Sequence, residues 1–168
     1  IFVAASWINS LDTDYFACTM SDHVYHPSFY SHTIKQFQSY PISKAISQEI
    51  PLHLVIDKPG VHNTYIDFDD VTRVLVDDTH KCPLIIRQVG KLQTEYNYFD
   101  TGMFLLHKNI FTHLDEITRL GKDSISDLVN TLASRGLAHG LDLTGFYWND
   151  IDTPEDFKIA QSQSHLIL

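Results

Sequence analysis

Long apolar runs are missing from this chain: none reaches the length of a membrane span, and no signal-peptide pattern is visible. No membrane segment is therefore expected in these residues. Cysteine is scarce as well. Cys18 and Cys82 lack metal-ligand spacing, and Cys18 sits in an apolar run as a small buried hydrophobe, so a reduced, cytoplasmic setting is the default expectation. Basic residues are in deficit, with 12 Lys and Arg against 21 Asp and Glu and a net charge of −9. That deficit argues against a general nucleic-acid binder, which needs a basic face. It leaves a nucleotide substrate open, because one metal ion and a few local lysines can neutralise a triphosphate. Repeats, linkers and low-complexity runs are absent too. The chain has no initiator Met and opens on "IFVAASWINSL", already inside a helix-like pattern, which reads as a fragment or processed segment.

What is present suits one globular domain. The 168 residues are 43% hydrophobic and 20% charged, enough for a real core. Residues 2–11 read as a short helix. "YFACTMS" (15–21) reads as a strand buried on both faces of a parallel sheet, ending in Asp22-His23. A helix follows Pro27, and "ISKAISQEI" adds another helical piece. "LHLVIDK" (52–58) is a second buried-type strand. "VTRVLVDD" and "PLIIRQVGK" alternate and are expected to pair across a turn at "DDTHK". "FDTGMFLLH" is a strand, and "KNIFTHLDEITRL" a helix with apolar positions 110, 111, 114, 117 and 120 on one side. "SISDLVNTLASRG" is a helix capped by Ser124 and Asp127 and stopped by Gly136. "GLDLTGFYWNDID" carries the last strand and "PEDFKIAQSQ" the last helix. Strands alternating with helices, plus one antiparallel insertion, predict an α/β sandwich with a mixed, mainly parallel sheet.

Chemistry concentrates in "WNDIDTPEDF" (148–157), where four acids occupy the seven positions from Asp150 to Asp156. Thr153, Pro154 and Asp156 make a helix start, with Thr as N-cap and Pro at the first helical position. That leaves Asp150 and Asp152 unexplained. Two apart at a strand end, they point to one face beside a helix N-terminus, a placement suited to a hard divalent cation and a phosphate-bearing ligand. The ordinary alternative is a pair of solvated turn acids. Asp22 also follows an apolar strand, and ligands of open parallel sheets bind beyond the strands' carboxyl ends. If those ends are neighbours, three acids share one crevice.

Taken in order, "FACTMSDHVYHPS", "DDVTRVLVDD", "VGKLQTEYNYFDTGMFLLH", "DSISDLVNTLASRG" and "WNDIDTPEDF" resemble the nucleotidyltransferase family that makes NDP-sugars and NDP-alcohols. The branch most resembled is the CTP:inositol-1-phosphate cytidylyltransferases. The resemblance covers nearly the whole chain, and it implies a three-layer α/β/α sandwich of the nucleotide-diphospho-sugar transferase type. It further implies Mg²⁺ held by Asp22 and by Asp150 or Asp152. Lys91 would approach the acceptor phosphate, giving Asp22 and Lys91 the catalytic roles. Asp100, Thr101 and Gly102 would line the acceptor pocket, Gly102 by letting substrate approach the backbone closely. Glu95 and Asn97 are further pocket candidates. The implied partners are an NTP, with CTP favoured, and a phosphorylated small-molecule acceptor.

The family's Gly-rich opening loop, with its basic residue and Pro-Lys pair, is absent. Residues 1–168 are therefore expected to be the C-terminal two-thirds of one N-terminally truncated domain, inactive alone. The competing readings are a non-catalytic sugar-phosphate-binding or regulatory module and a metal-dependent GT-A-type glycosyltransferase. Lys91 has a plain alternative as a solvated hairpin lysine, and Asp100 as a turn former. His23 and His26 stand three apart, a spacing ascribed to chance among ten histidines.

Overall fold

The structure, a computed structural model, describes residues 2–39, 50–79 and 82–163. The helical piece expected from "ISKAISQEI" (42–50), all but its last residue, and the end of the "DDTHK" turn lie outside the described residues. A 3-10 turn at Phe2–Ala4 leads into α1 (Ala5–Ser10), followed by β1 (Tyr15–Thr19), β2 (His23–Tyr25) and α2 (Phe29–Ser39). Next come β3 (Leu52–Asp57), β4 (Arg73–Asp77), β5 (Leu84–Gly90) and β6 (Tyr98–His107). The chain closes with α3 (Ile110–Arg119), α4 (Ile125–Ala133), β7 (Ala138–Asp142), β8 (Trp148–Asp150) and α5 (Pro154–Ser162). None of the described helices is long and apolar enough to cross a membrane.

Six strands form one mixed sheet in the order β1-β6-β3-β7-β5-β4, and β4 also touches the start of β6. All six residues of β3 are buried, as expected of a central strand with both faces covered. Its residues alternate between two cores. Leu54 and Ile56 join Ile110, Leu114 and Ile117 of α3 and Leu128 and Leu132 of α4. Val55 joins Phe29, Phe99, Met103 and Trp148 in the other. The side chains thus separate with the twofold period of a strand, α3 and α4 lying on one side and α2 on the other.

Three expectations are corrected. The sheet is mixed but mainly antiparallel: among the described strands only β3 and β7 run parallel. Alternating strands and helices suggested parallel neighbours. Here, however, α3 and α4 connect β6 to β7, which are separated in the sheet by β3. Second, "YFACTMS" is not a doubly buried strand. β1 stops at Thr19, pairs among the described strands with β6 alone, at the edge of the described sheet, and leaves Ala17 and Thr19 exposed. An apolar run this short does not report which neighbours cover it. Third, the last strand is two strands. A turn through Thr144 and Gly145, with Gly145 at φ +93° and Thr144 N–H donating to Asp142 Oδ1 at 2.9 Å, separates β7 from β8. β8 then leaves the main sheet and pairs with β2.

Other local expectations match. β4 and β5 pair antiparallel, Ser124 Oγ accepts from Asp127 N, and Thr153 and Asp156 cap α5 reciprocally. On α3, Ile110, Leu114 and Ile117 are buried, whereas Leu120 falls past the helix end and is exposed.

Candidate active site

The β2–β8 ribbon builds the site. Its register sets His23 opposite Asp150. The turn carrying Asp22 is held at both ends, by Met20 N–H donating to Gly102 O at 3.0 Å and by Ile151 N–H donating to Asp22 O at 3.0 Å. Residues 128 positions apart thereby meet: His23 Nδ1 lies 3.0 Å from Asp22 Oδ1 and 3.5 Å from Asp150 Oδ1. Asp22 lies in the turn beyond β1, Asp150 ends β8, and Asp152 follows it toward α5. The α5 cap uses Thr153 and Asp156, leaving Asp150 and Asp152 outside it.

These residues border a cleft of about 760 Å³, which Asp22, Lys91, Asp100, Gly102, Asp150 and Asp152 all line. Nine acidic side chains and a single lysine face it. Lys91 Nζ is 2.6 Å from Asp70 Oδ1, and this hydrogen bond raises its pKa, helped by the charges of Asp70, Asp152 and Asp150. The carboxylates respond to their surroundings in opposite directions. The hydrogen bond from His23 holds exposed Asp22 below the usual carboxylate range. Burial lifts Asp150, and Asp152, Asp22 and Asp70 lift it further against the pull of His23. Burial pushes Asp100 up to about 6, opposed by the Gly102 N–H and by His23; the Gly102 N–H donates to Asp100 Oδ1 at 2.8 Å.

Among the described residues, two clusters have donor atoms within 4.8 Å of one another: Asp22, His23 and Asp150, and Asp70, Asp150 and Asp152. Asp150 Oδ1 is buried and accepts no hydrogen bond within normal reach. Carboxylate oxygens crowded in this way, with one left unsatisfied, suit a hard divalent cation.

Three of the anticipated pocket residues stand elsewhere. Thr101 is fully buried, its hydroxyl donating to Val55 O at 2.9 Å, because β6 alternates and turns this side chain away from the cleft. Asn97 clamps β4: its side chain accepts from Val76 N at 2.8 Å and donates to Val76 O at 2.9 Å. It satisfies the backbone where the β4–β5 register shifts between Leu75 and Val76. Glu95 lies in an exposed loop, where its carbonyl accepts from Gln93 Nε2. Gly102 lines the cleft, but the close approach belongs to a side chain. Its φ is +73°, and a Cβ there would lie 2.5 Å from the His23 ring.

Asp70 escaped the sequence reading, although the acid run "DFDD" (67–70) was a visible signal, and so did Trp148, which stacks on His23 with ring centroids 6.0 Å apart. His23 and His26 do not act together: His26 Nδ1 faces Ser28, 2.6 Å from its hydroxyl oxygen.

No protein-family model matches the chain. Among curated proteins, it is 30% identical over 146 residues to the bifunctional IPC transferase and DIPP synthase of Aquifex aeolicus. It is likewise 30% identical over 148 residues to the protein of the same name from Thermococcus kodakarensis. Each match covers 87% of this chain and 28% of the relative, so the chain spans under a third of the length of the curated relatives it matches. The structure of the inositol-1-phosphate CTP transferase from T. maritima superposes with a TM-score of 0.71 at 22% identity, covering 98% of this chain and 61% of that one. Shared sequence over most of the chain, together with this shared fold, shows that the chain belongs to the nucleotidyltransferase family.

Proposed function

We propose that the chain carries the acceptor and metal side of a nucleotidyltransferase that moves NMP from an NTP, with CTP favoured, to a phosphorylated alcohol such as inositol 1-phosphate. In this reading residues 1–168 form the C-terminal two-thirds of one three-layer α/β/α domain. The observation that carries it is the meeting of Asp22 and Asp150 around His23 in a cleft that also holds Lys91. The names of the relatives supply the reaction class, and the donor and acceptor preferences are carried over from them.

A phosphate oxygen of the acceptor attacks the α-phosphorus, a new P–O bond forms, and the bond from the α-phosphorus to the departing pyrophosphate breaks. The nucleophile is already ionised at neutral pH, so the protein need only align the reactants and offset charge. Asp22 and Asp150, with Asp152 beside them, would hold a divalent cation such as Mg²⁺. That ion would supply Lewis-acid neutralisation of the phosphates, which nine acids and one lysine cannot provide. Lys91 would exchange its bond to Asp70 for the acceptor phosphate. Asp100 and Gly102 would shape the pocket floor and hold His23 at its edge.

The test is pyrophosphate release by the whole protein across four NTPs and a panel of phosphorylated acceptors. Release should be greatest with CTP and an inositol phosphate; no release with any pair would end this reading. Asp22→Ala should lower turnover by about a hundredfold or more, the effect of several kcal/mol of lost charge stabilisation. The fold should survive, since this side chain is 41% exposed and its hydrogen bond is to His23. Turnover like the wild type would make Asp22 a turn residue.

A further inference from the structure

We infer that Asp57, which the cleft never touches, is a positioning residue of the acid site, acting through Trp148 and His23; the inference rests on the metal-binding reading above. Asp57 ends β3 and has no exposed surface. A buried carboxylate is costly unless its lone pairs are met by donors. Here Oδ1 accepts from His62 Nε2 at 2.9 Å and from Gly145 N at 3.3 Å. Oδ2 accepts from Trp148 Nε1 at 3.0 Å and from Asn63 Nδ2 at 3.2 Å.

Of these four donors, only Trp148 leads on to the acids. Its indole is 2% exposed and lies parallel to the His23 imidazole, with 7° between the planes. Stacking alone lets two rings slide over each other, whereas the bond from Nε1 to Asp57 fixes the indole in its own plane. The Cδ2–Nε2 edge of His23 meets the bare Cα of Gly102. With one face toward Trp148 and one edge against Gly102, the imidazole presents Nδ1 in the gap between Asp22 and Asp150. Asp57 thus anchors a three-step relay of contacts that sets the spacing of the two carboxylates. Groups of this kind behind metal ligands typically change metal affinity by about 10–100-fold when altered.

The test measures Mn²⁺ affinity by electron paramagnetic resonance, urea stability, and nuclear Overhauser contacts between the His23 and Trp148 rings in the metal-free whole protein. Three variants are compared: Asp57→Asn, Trp148→Phe and His62→Ala. The last removes a partner of Asp57 that does not line the cleft. Asp57→Asn and Trp148→Phe should weaken Mn²⁺ binding about tenfold or more. His62→Ala should leave affinity within about twofold while losing stability. Unchanged affinity in Trp148→Phe, or an equal loss in His62→Ala, overturns the inference and leaves Asp57 a stability residue. If the wild type binds no Mn²⁺, the metal reading fails on its own. The ring contacts then decide the positioning role: their loss in Asp57→Asn upholds it, and their retention overturns it.

Discussion

Asp57 and Asp150 both close β-strands, one at the end of β3 and the other at the end of β8, yet their surroundings differ in kind. Asp57 is sealed from solvent and met by four donors on two oxygens. Asp150 has Asp22, Asp70 and Asp152 close by, balanced by His23 and, through Asp70, by Lys91. The first arrangement is complete without a ligand. The second raises the cost of its own charge, which a cation would relieve. Asp100 lies between these cases, with a single backbone donor at Oδ1 and a pKa near 6. The difference separates a carboxylate that builds the fold from those proposed above to hold a cation.

The sharpest way to break this comparison is Asp57→Ala. It strands two buried donors, on Trp148 and Asn63, and removes the partner of His62 and Gly145, so it should destabilise the protein by roughly 3–5 kcal/mol, the cost of breaking a buried charged network. Urea denaturation reads this directly, and a loss under about 1 kcal/mol would mean those bonds contribute little.

Asp100 tests the intermediate case through pH. Its folded pKa of about 6 lies above the unfolded value, so the folded state holds the proton more tightly. Its contribution to stability is therefore fully present below pH of about 4 and is lost as pH rises through about 6. Asp100→Asn should remove that decline and stabilise the metal-free protein at pH 7 by about 1–3 kcal/mol. Stability curves of equal slope between pH 4 and 6 for wild type and variant would contradict the assignment.

Gly102→Ala comes next. The left-handed φ of +73° and the His23 ring 2.5 Å from the new methyl should together cost about 1–2 kcal/mol. Mn²⁺ affinity should fall with the displaced ring. A variant with unchanged stability and affinity would show that His23 can move aside freely.

The smallest effect has the opposite sign. Asp150→Asn removes a charge that its neighbours disfavour, so the metal-free protein should gain a few tenths of a kcal/mol at neutral pH, a figure already reduced for solvent screening. Thermal melts at low salt would detect it, and Mn²⁺ binding should disappear in parallel. A clear loss of stability would place Asp150 with Asp57 as a structural acid.

Much of the fold could be read along the chain because its signals are local. The α5 cap, the Ser124–Asp127 cap, the β4–β5 hairpin and the apolar stripe of α3 each depend on neighbours within a few residues. Asp22 and the Asp150–Asp152 pair stood out in the same way, as acids following apolar runs. The misreadings share a cause: β2 and β8 have three residues each, too few for any periodicity to show, and β1 looks central by composition although it lies at an edge.

The sequence by itself determined the longer helices and strands, where α4 and α5 begin, and which acids lie outside any cap. Dihedral preference, capping and hydrophobic period act over a few residues and do not depend on the rest of the molecule. Only the tertiary structure decided that β8 would leave the main sheet to pair with β2, setting Asp150 against His23. It also decided that Thr101 and Asn97 would serve the framework, that Asp70 would take Lys91, and that Asp57 would reach the site through Trp148. These outcomes follow from strand pairing and burial, where each carboxylate's role depends on which donors or charges the rest of the chain brings within a few ångströms of it.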